Sequence, residues 1–397
     1  MNGPRATLLI TLTGKDRPGV TSRLFSALTA QPVTVADVEQ VVIRGHLVLG
    51  VLLACPPSPD LTAIHRQISS LADDLGMNAE ITLGSGEQPR QRGRLHVTVL
   101  GNPLAPAVIA AIAGRIAAKG ANIDRIGRLA SRPVTCIEFE VSGANPEELR
   151  AALALESAAL GADIAVQRGG LHRRAMRLVV MDVDSTLLQD EAIDLLADQA
   201  GCAAEVAALT AAAMRGEIDY AASLRQRVAL LAGLDASVLD QLLGKLRLTP
   251  GARTLIRTLK RLGYRCGVVS GGFTQITDGL AADLGLDYAA ANTLEISGGQ
   301  LTGRITGELI DRPGKERMLR EFAARAGVPL SQTVAVGDGA NDLDMIAAAG
   351  LGIAFNAKPA VRSMADTSLS VPHLDAILFL LGISREDVEA ADAAEQG

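Results

Sequence analysis

The chain repeats itself. An apolar strand at Leu8–Thr13 runs into Gly14, and another at Leu95–Leu100 runs into Gly101, so the second copy starts 87 residues after the first, counted strand to strand (8 to 95) or glycine to glycine (14 to 101). In the first copy, Val20, Leu24, Ala27 and Leu28 mark one face of a helix, and Val41–Ile43 and Leu47–Leu53 flank Arg44-Gly45-His46 as a hairpin. Leu61, Ile64, Ile68, Leu71 and Leu75 then mark a second helix, and Ala79–Leu83 is a last strand. The second copy keeps this order, with a helix through Ile109, Ile112 and Ile116, a hairpin of Ile123–Leu129 and Thr135–Val141, a helix over Glu147–Leu160 and a strand at Asp163–Gln167. Two successive βαββαβ units predict two ferredoxin-like modules, each an antiparallel sheet with helices on one face.

The modules are expected over 1–84 and 94–168, joined by the polar linker GSGEQPRQRGR at 84–94. A second linker, RGGLHRRAMR at 168–177, is rich in arginine. The chain as a whole is acidic, with 44 Asp and Glu against 38 Lys and Arg, and only 2% of its residues are aromatic. Those arginines therefore predict a solvated hinge rather than a nucleic-acid patch, and no nucleic-acid partner is expected.

From Leu178 the pattern changes. Leu178–Met181, Arg265–Val269, Thr333–Val336 and Leu351–Ala354 are short apolar strands separated by helical stretches, which predicts a doubly wound parallel α/β sheet over 178–383. Between about 188 and 250 the reading is entirely helical. That is too long for a plain loop and predicts a helical cap over the strand ends. Residues 384–397 are expected to be a C-terminal tail. Four distant cysteines without a CxxC pair predict reduced thiols in the cytoplasm. No basic-then-apolar leader and no run of 18 uncharged apolar residues occurs, so neither secretion nor a membrane partner is expected.

The chemistry lies at the strand ends. Met181-Asp-Val-Asp-Ser-Thr-Leu187 places Asp182 and Asp184 just past one buried strand, and Gly337-Asp-Gly-Ala-Asn-Asp-Leu-Asp344 places Asp338 and Asp342 just past another. Ligands of open α/β sheets bind at such ends. Two carboxylates about 4 Å apart repel by roughly 4 kcal/mol at an effective dielectric of 20, so a convergence of these four calls for a hard divalent cation. Mg²⁺ suits a few carboxylates, water and phosphate. Ser270-Gly271-Gly272, after a strand and before a helix, suits an anion, and Lys315 at a helix start offers a fixed positive charge.

In this order the four pieces resemble the haloacid dehalogenase superfamily: DVDST its first motif, Ser270 its second, Lys315 its third and GDGAND its fourth. The wording SGGF and GDGANDLDM, with Glu191 at the family's spacing, is similar to the phosphoserine phosphatases within it. The N-terminal repeats resemble ACT domains, small amino-acid-sensing modules, with Gly14-Lys-Asp-Arg-Pro-Gly19 matching the loop after their first strand. Tandem ACT domains ahead of such a phosphatase look like a mycobacterial-type arrangement.

The resemblance implies hydrolysis of O-phospho-L-serine through an aspartyl phosphate. Asp182 is then the nucleophile and Asp184 the general acid, its pKa raised by Asp182 and the other acidic neighbours. Mg²⁺ is bound by Asp182, Asp338 and the backbone carbonyl of Asp184. Ser270, Gly271, Gly272, Lys315 and Asn341 bind the phosphoryl group, and Asp342 supports Lys315 or a metal-bound water. Glu191 pairs with the substrate ammonium, Arg227 with its carboxylate, and Met214 and Tyr220 line the cap. L-serine is the expected effector at Asp16 and Gly19, with Gly101 the equivalent turn in the second copy, and a homodimer through the ACT sheets is expected. The competing readings are a phosphatase for another small phosphorylated metabolite and an amino-acid-sensing regulatory protein. A kinase lacks its GxxxxGK[ST] loop here, and a serine hydrolase its GxSxG elbow.

Overall fold

The computed structural model describes residues 6–56, 60–85, 95–170, 173, 175–215 and 217–396, so most of the linker expected at 84–94 lies outside them. The chain divides into one compact unit over Met1–Arg90 and another over Gln91–Gly397.

The first unit holds β1 (Ala6–Lys15), a helix Val20–Leu28, β2 (Thr34–Ile43), β3 (His46–Ala54), a helix Leu61–Leu75 and β4 (Asn78–Ser85). The strands form an antiparallel sheet in the order β2-β3-β1-β4, with Ile10 opposite Val51 on one side and Ile81 on the other. Alternation drives this: Leu8, Ile10 and Leu12 are buried, whereas the intervening Leu9 is 41% exposed. Val20, Leu24 and Leu28, four residues apart, close the core from one helix, and Ile64, Ile68, Leu71 and Leu75 from the other. The Asp60 carboxylate accepts from the Ala63 N–H to start the second helix, and Gly76 ends it at φ 62°. Edge strand β2 is exposed along its whole length.

The second unit opens with the same topology. β5 (Leu95–Gly101), a helix Pro106–Ala118, β6 (Asn122–Ala130), β7 (Thr135–Ser142), a helix Pro146–Leu160 and β8 (Asp163–Arg168) give the sheet order β6-β7-β5-β8. What differs is the outer face. Val97, Val99, Phe139 and Val141 pack on the module's own helices, but Leu100, Ala130, Cys136 and Ala165 are buried in the core of the domain that follows. The position of Leu100 in the first copy is held by Thr13.

The expected solvated hinge is not what forms around Arg173. Its side chain is buried, with a guanidinium nitrogen 2.5 Å from Glu138 Oε2 on that outer face. It also donates to the carbonyls of Leu380 and Phe379 at 3.0 Å each. Burial makes the pairing obligatory, because an uncompensated charge in this position is expensive. The C-terminal tail is likewise a helix, Arg385–Gln396, with Val388 buried. Its Glu386 and Glu389 pair with Arg128 and Arg132 of the second module. Its Asp392 and Glu395 pair with Arg257 and Arg261 of the helix Ala252–Arg261.

The third domain is built on a seven-stranded sheet in the order β12-β11-β10-β9-β13-β14-β15. Here β9 is Leu178–Met181, β10 Arg265–Phe273, β11 Tyr288–Ser297, β12 Gln300–Thr306, β13 Thr333–Gly337, β14 Leu351–Phe355 and β15 Thr367–Leu369. Six strands are parallel. The doubly wound parallel sheet read from the sequence is present, and at one edge it gains a strand that reading did not find, β12, which returns antiparallel to β11 through Gly298 and Gly299, both at positive φ. Between Leu188 and Leu248, after β9, rise four helices among the described residues, Ala192–Ala200, Ala203–Met214, Tyr220–Ala229 and Ser237–Leu243. The two ends of this insertion are clipped together: Leu188 bridges Leu248, the Thr249 N–H donates to the Leu187 carbonyl and the Thr249 hydroxyl to that of Thr186. Among the described residues no helix is long and apolar enough to cross a membrane.

The Arg173–Glu138 contact yields a stability prediction. Arg173→Met removes the guanidinium from the largely covered Glu138 carboxylate and leaves it His96 and Thr98, so the urea midpoint should fall by the equivalent of about 3 kcal/mol, and Arg173→Met/Glu138→Leu should recover most of it. Burial alone would raise the Glu138 pKa, but hydrogen bonds from His96 and Arg173 and the Arg173 charge outweigh it and hold it at about 2, below the ordinary 4.5. The stabilisation from Glu138 is therefore complete above about 4.5 and is lost as pH falls toward 2. Glu138→Gln should flatten that part of the stability–pH curve.

Candidate active site

Three strand ends meet. β9 is central, and its Met181 stands opposite Val268 of β10 and Val336 of β13. Asp182, Ser270 and Asp338 therefore leave the sheet side by side, and the Asp182 N–H donates to the Val336 carbonyl at 2.8 Å. Past Asp182 the chain turns through Ser185 at φ 56°, a strained conformation for a residue with a Cβ. The Ser185 hydroxyl donates to Glu191 Oε1 at 2.8 Å.

Lys315 lies in the first turn of the helix Arg312–Ala326, which the Asp311 carboxylate caps through the Gly314 N–H. Its side chain is 1% exposed, and its ammonium lies 2.7 Å from Asp182 Oδ1 and 2.6 Å from Asp342 Oδ1. Asp342 Oδ2 accepts from the Gly339 N–H, and Asp338 Oδ1 from the Thr186 hydroxyl. Burial by itself would lower the Lys315 pKa, but the adjoining Asp182 and Asp342 carboxylates outweigh it and raise the pKa above the ordinary lysine value. Asp182 is pushed well up by burial and by Asp342, against the pull of Lys315. Asp338 is pushed up to about 6 by burial and by Asp342.

Carboxylate oxygens of Asp182, Asp338 and Asp342 lie within 4.8 Å of one another. The Asp184 carboxylate does not join them, although all four acids were expected to converge. Its Oδ1 accepts from the Ala192 N–H, where the first cap helix begins, and its Oδ2 from the Ser270 hydroxyl at 3.0 Å. Its pKa is raised, but by burial rather than by acidic neighbours.

Ser270 Oγ in turn accepts from the Gly272 N–H at 2.7 Å. The Gly271 carbonyl accepts from Asn292 Nδ2 at 2.8 Å and from the Tyr220 hydroxyl at 3.4 Å. The glycines are needed for space: a Cβ on Gly271 would lie 2.1 Å from the Tyr220 oxygen, and one on Gly272 2.9 Å from Ser270 Oγ.

A cavity of 690 Å³ covers these groups, and Asp182, Asp184, Glu191, Tyr220, Arg227, Gly271, Gly272, Asp338 and Asn341 line it. Ser270, Lys315 and Asp342 are buried beside those residues. Arg227 Nη1 donates to the Thr210 hydroxyl at 3.4 Å, while its buried Nε has no partner. Glu191 is exposed to solvent at the cavity and is pushed up to about 7 by desolvation and by Asp184. Burial pushes the Tyr220 hydroxyl up to about 12. The side chain of Met214 lies outside the described residues. Asp16 is exposed after β1, its N–H donating to the Gly45 carbonyl, and Gly19 starts the first helix at φ 92°. Gly101 ends β5, where a Cβ would crowd Leu104.

Four residues escaped the sequence reading. Asn292 is buried, and besides holding the Gly271 carbonyl it accepts from the Ile310 N–H, joining the serine loop to the segment before Lys315. Thr186 orients Asp338. Arg312 and Lys358 line the cavity. Asn292 lies on β11, a strand the sequence reading did not find; a polar residue in an otherwise half-apolar strand was its available signal.

Comparison with known proteins agrees with this geometry. A family model for haloacid dehalogenase-like hydrolases matches residues 179–347, and two ACT-domain models match 6–82 and 95–167. A phosphoserine phosphatase of Streptomyces coelicolor is 64% identical over 387 residues, covering 97% of this chain and 94% of the relative. The chain belongs to the phosphoserine phosphatase family of the haloacid dehalogenase superfamily. A second phosphoserine phosphatase, from Mycobacterium tuberculosis, is 52% identical over 398 residues, covering 99% of this chain and 97% of that relative. Among solved structures, a probable phosphoserine phosphatase from Vibrio cholerae in unliganded form is 34% identical at a TM-score of 0.58, covering 74% of this chain and 88% of that one.

Lys315→Met strands two buried carboxylates. The variant should lose about 3–5 kcal/mol of stability in metal-free buffer, read from urea unfolding, and Lys315→Met/Asp342→Leu should regain part of that loss.

Proposed function

We propose that the protein hydrolyses O-phospho-L-serine to L-serine and phosphate, with Asp182 as nucleophile. One observation carries the reading: a single cavity is lined both by the acidic strand ends and by Glu191 and Arg227, whose buried Nε lacks an acceptor. Phosphoserine has a phosphate for the first set, an ammonium for Glu191 and a carboxylate for Arg227.

In this reading an Asp182 oxygen attacks phosphorus in line, the P–O bond to serine breaks, and Asp184 gives its proton to the leaving oxygen. Water then attacks the aspartyl phosphate and loses a proton to Asp184, which frees phosphate and restores Asp182. The raised pKa of Asp184 suits the first step, and its bond to Ser270 holds it in place. Lys315 pulls the Asp182 pKa down against burial and Asp342, which favours the anionic form that attacks. The Asn292 contact and the Tyr220 hydroxyl hold the Gly271 carbonyl and so fix the loop assigned to the phosphoryl group.

The cluster fits a hard divalent cation, since it offers oxygen donors from three close carboxylates and the Lys315 ammonium pairs with two of them, Asp182 and Asp342. We assign Mg²⁺ to Asp182, Asp338 and the Asp184 carbonyl. Bound there, it offsets the repulsion between the carboxylate nucleophile and the phosphate dianion.

We further propose that L-serine binds near Asp16 and Gly19 and restrains activity, and that the chain forms a homodimer through the first ACT sheet. The uncovered edge supports the dimer: Val35, Val38, Val41, Val42 and Ile43 on β2 are 40–66% exposed. Val41→Lys/Ile43→Lys should then sediment as a monomer where the parent chain is a dimer, and Asp16→Ala should weaken inhibition by serine.

The activity is tested by phosphate release. Phosphoserine turnover should vanish in Asp182→Asn and in EDTA, returning with Mg²⁺. Arg227→Ala should raise KM for phosphoserine about tenfold or more while leaving an aryl phosphate nearly unaffected. Equal losses on both substrates would move the reading to another phosphorylated metabolite.

A further inference from the structure

One cation at the active-site cavity has no role in the reaction described above. Lys315 is taken by Asp182 and Asp342, and Arg312 by Asp344, whose Oδ1 lies 2.5 Å from Arg312 Nη2. Arg227 is assigned to the substrate carboxylate. Lys358 remains: it lines the cavity, it is exposed, and no carboxylate pairs with it among the described residues.

An exposed lysine is ordinarily a mobile, solvated charge. The backbone that carries Lys358 is held on both sides. β14 ends at Phe355, and Asn356 turns the chain at φ 47° while its N–H donates to the Leu369 carbonyl at 2.7 Å. A short helix, Pro359–Arg362, follows Lys358 directly, and its Ala360 and the buried Val361 share the cavity wall. Arg362, its last residue, has a nitrogen 3.7 Å from Oδ1 of the buried Asp163, where β8 of the second ACT module begins. Asp163 Oδ2 accepts from the Ser370 N–H at 2.6 Å, and Asp366 lies 3.3 Å from Arg150 of the same module. The stretch presenting Lys358 is thus tied to the phosphatase sheet and to the second module.

Charge balance gives this cation a use. Asp182, Asp184, Glu191 and Asp338 line the cavity, and a phosphate monoester near neutral pH brings about −2 to that acidic wall. We propose that Lys358 is a substrate-recognition residue, a cation held at the cavity that attracts the phosphate dianion as it enters. This deepens the phosphoserine reading and rests on it. The role belongs to binding and not to bond breaking, so it resides in KM and is screened by salt.

The test is steady-state phosphate release by the full-length chain with Mg²⁺, at ionic strengths of about 0.02 M and about 0.5 M. At the lower value kcat/KM for phosphoserine should fall about threefold or more in Lys358→Ala and about tenfold or more in Lys358→Glu, with the loss in KM. At the higher value, where the screening length is about 4 Å, both variants should come within about twofold of the parent. Lys358→Arg, which keeps the charge, should recover most of the loss. A loss of the same size at both ionic strengths, a loss residing in kcat, or a Lys358→Glu variant within about twofold of the parent at low salt would each overturn the proposal. A parent chain that hydrolyses an aryl phosphate but not phosphoserine overturns the phosphoserine reading instead. The same comparison is then decided on the aryl phosphate, whose phosphate is also a dianion.

Discussion

One buried ammonium holds the catalytic end of the molecule together. Lys315 reaches from its helix to touch Asp182 at the end of β9 and Asp342 just past β13, with no access to water. Without it those carboxylates would face each other in a medium where like charges repel by several kcal/mol. The lysine thus permits neighbouring strands to end in acids, and it ties the helix Arg312–Ala326 to both. It does not neutralise the group. Three converging carboxylates against one cation leave negative charge over, and that surplus separates a cation-binding site from a structural ion pair.

Asp184 connects this cluster to the cap. One of its oxygens takes the N–H of Ala192, where the cap begins, and the other takes the hydroxyl of Ser270 on the neighbouring strand end. The cap's two ends are clipped to each other at Leu188 and Leu248, so it rises from one place on the sheet. A single carboxylate therefore touches both the serine loop and the start of the cap.

What could be read from the sequence follows from burial. The strands Leu178–Met181, Thr333–Gly337 and Leu351–Phe355 are covered on both faces, so they are continuous apolar runs and stand out. The acids that end two of them were legible for the same reason. β11 and β12 were missed because they form a half-exposed hairpin, and the Gly298-Gly299 turn was the cue passed over. Arg173 was misread because an arginine-rich linker looks solvated; its partner Glu138 is 35 residues earlier in the chain (138 to 173), and no local pattern connects them. The turn of the Asp184 carboxylate away from the other acids is set by two hydrogen bonds across the fold, again beyond the reach of spacing.

The two ACT copies show how one topology serves two ends. Both sheets have the same strand order, and both bury their inner faces on their own helices. On the outer face the second copy carries Leu100, Ala130, Cys136 and Ala165, which are sealed into the phosphatase core. The first copy has Thr13 where the second has Leu100, and its valine-rich edge strand is uncovered. An apolar outer face commits a sheet to a permanent neighbour, because exposing it again would cost roughly 25 cal/mol for each Å² returned to water. The second copy is therefore an adapter that cannot leave the catalytic domain without exposing those apolar contacts. The Glu138–Arg173 pair reinforces that division: Arg173 joins Glu138 on the adapter's outer face to the carbonyls of Leu380 and Phe379 in the phosphatase domain.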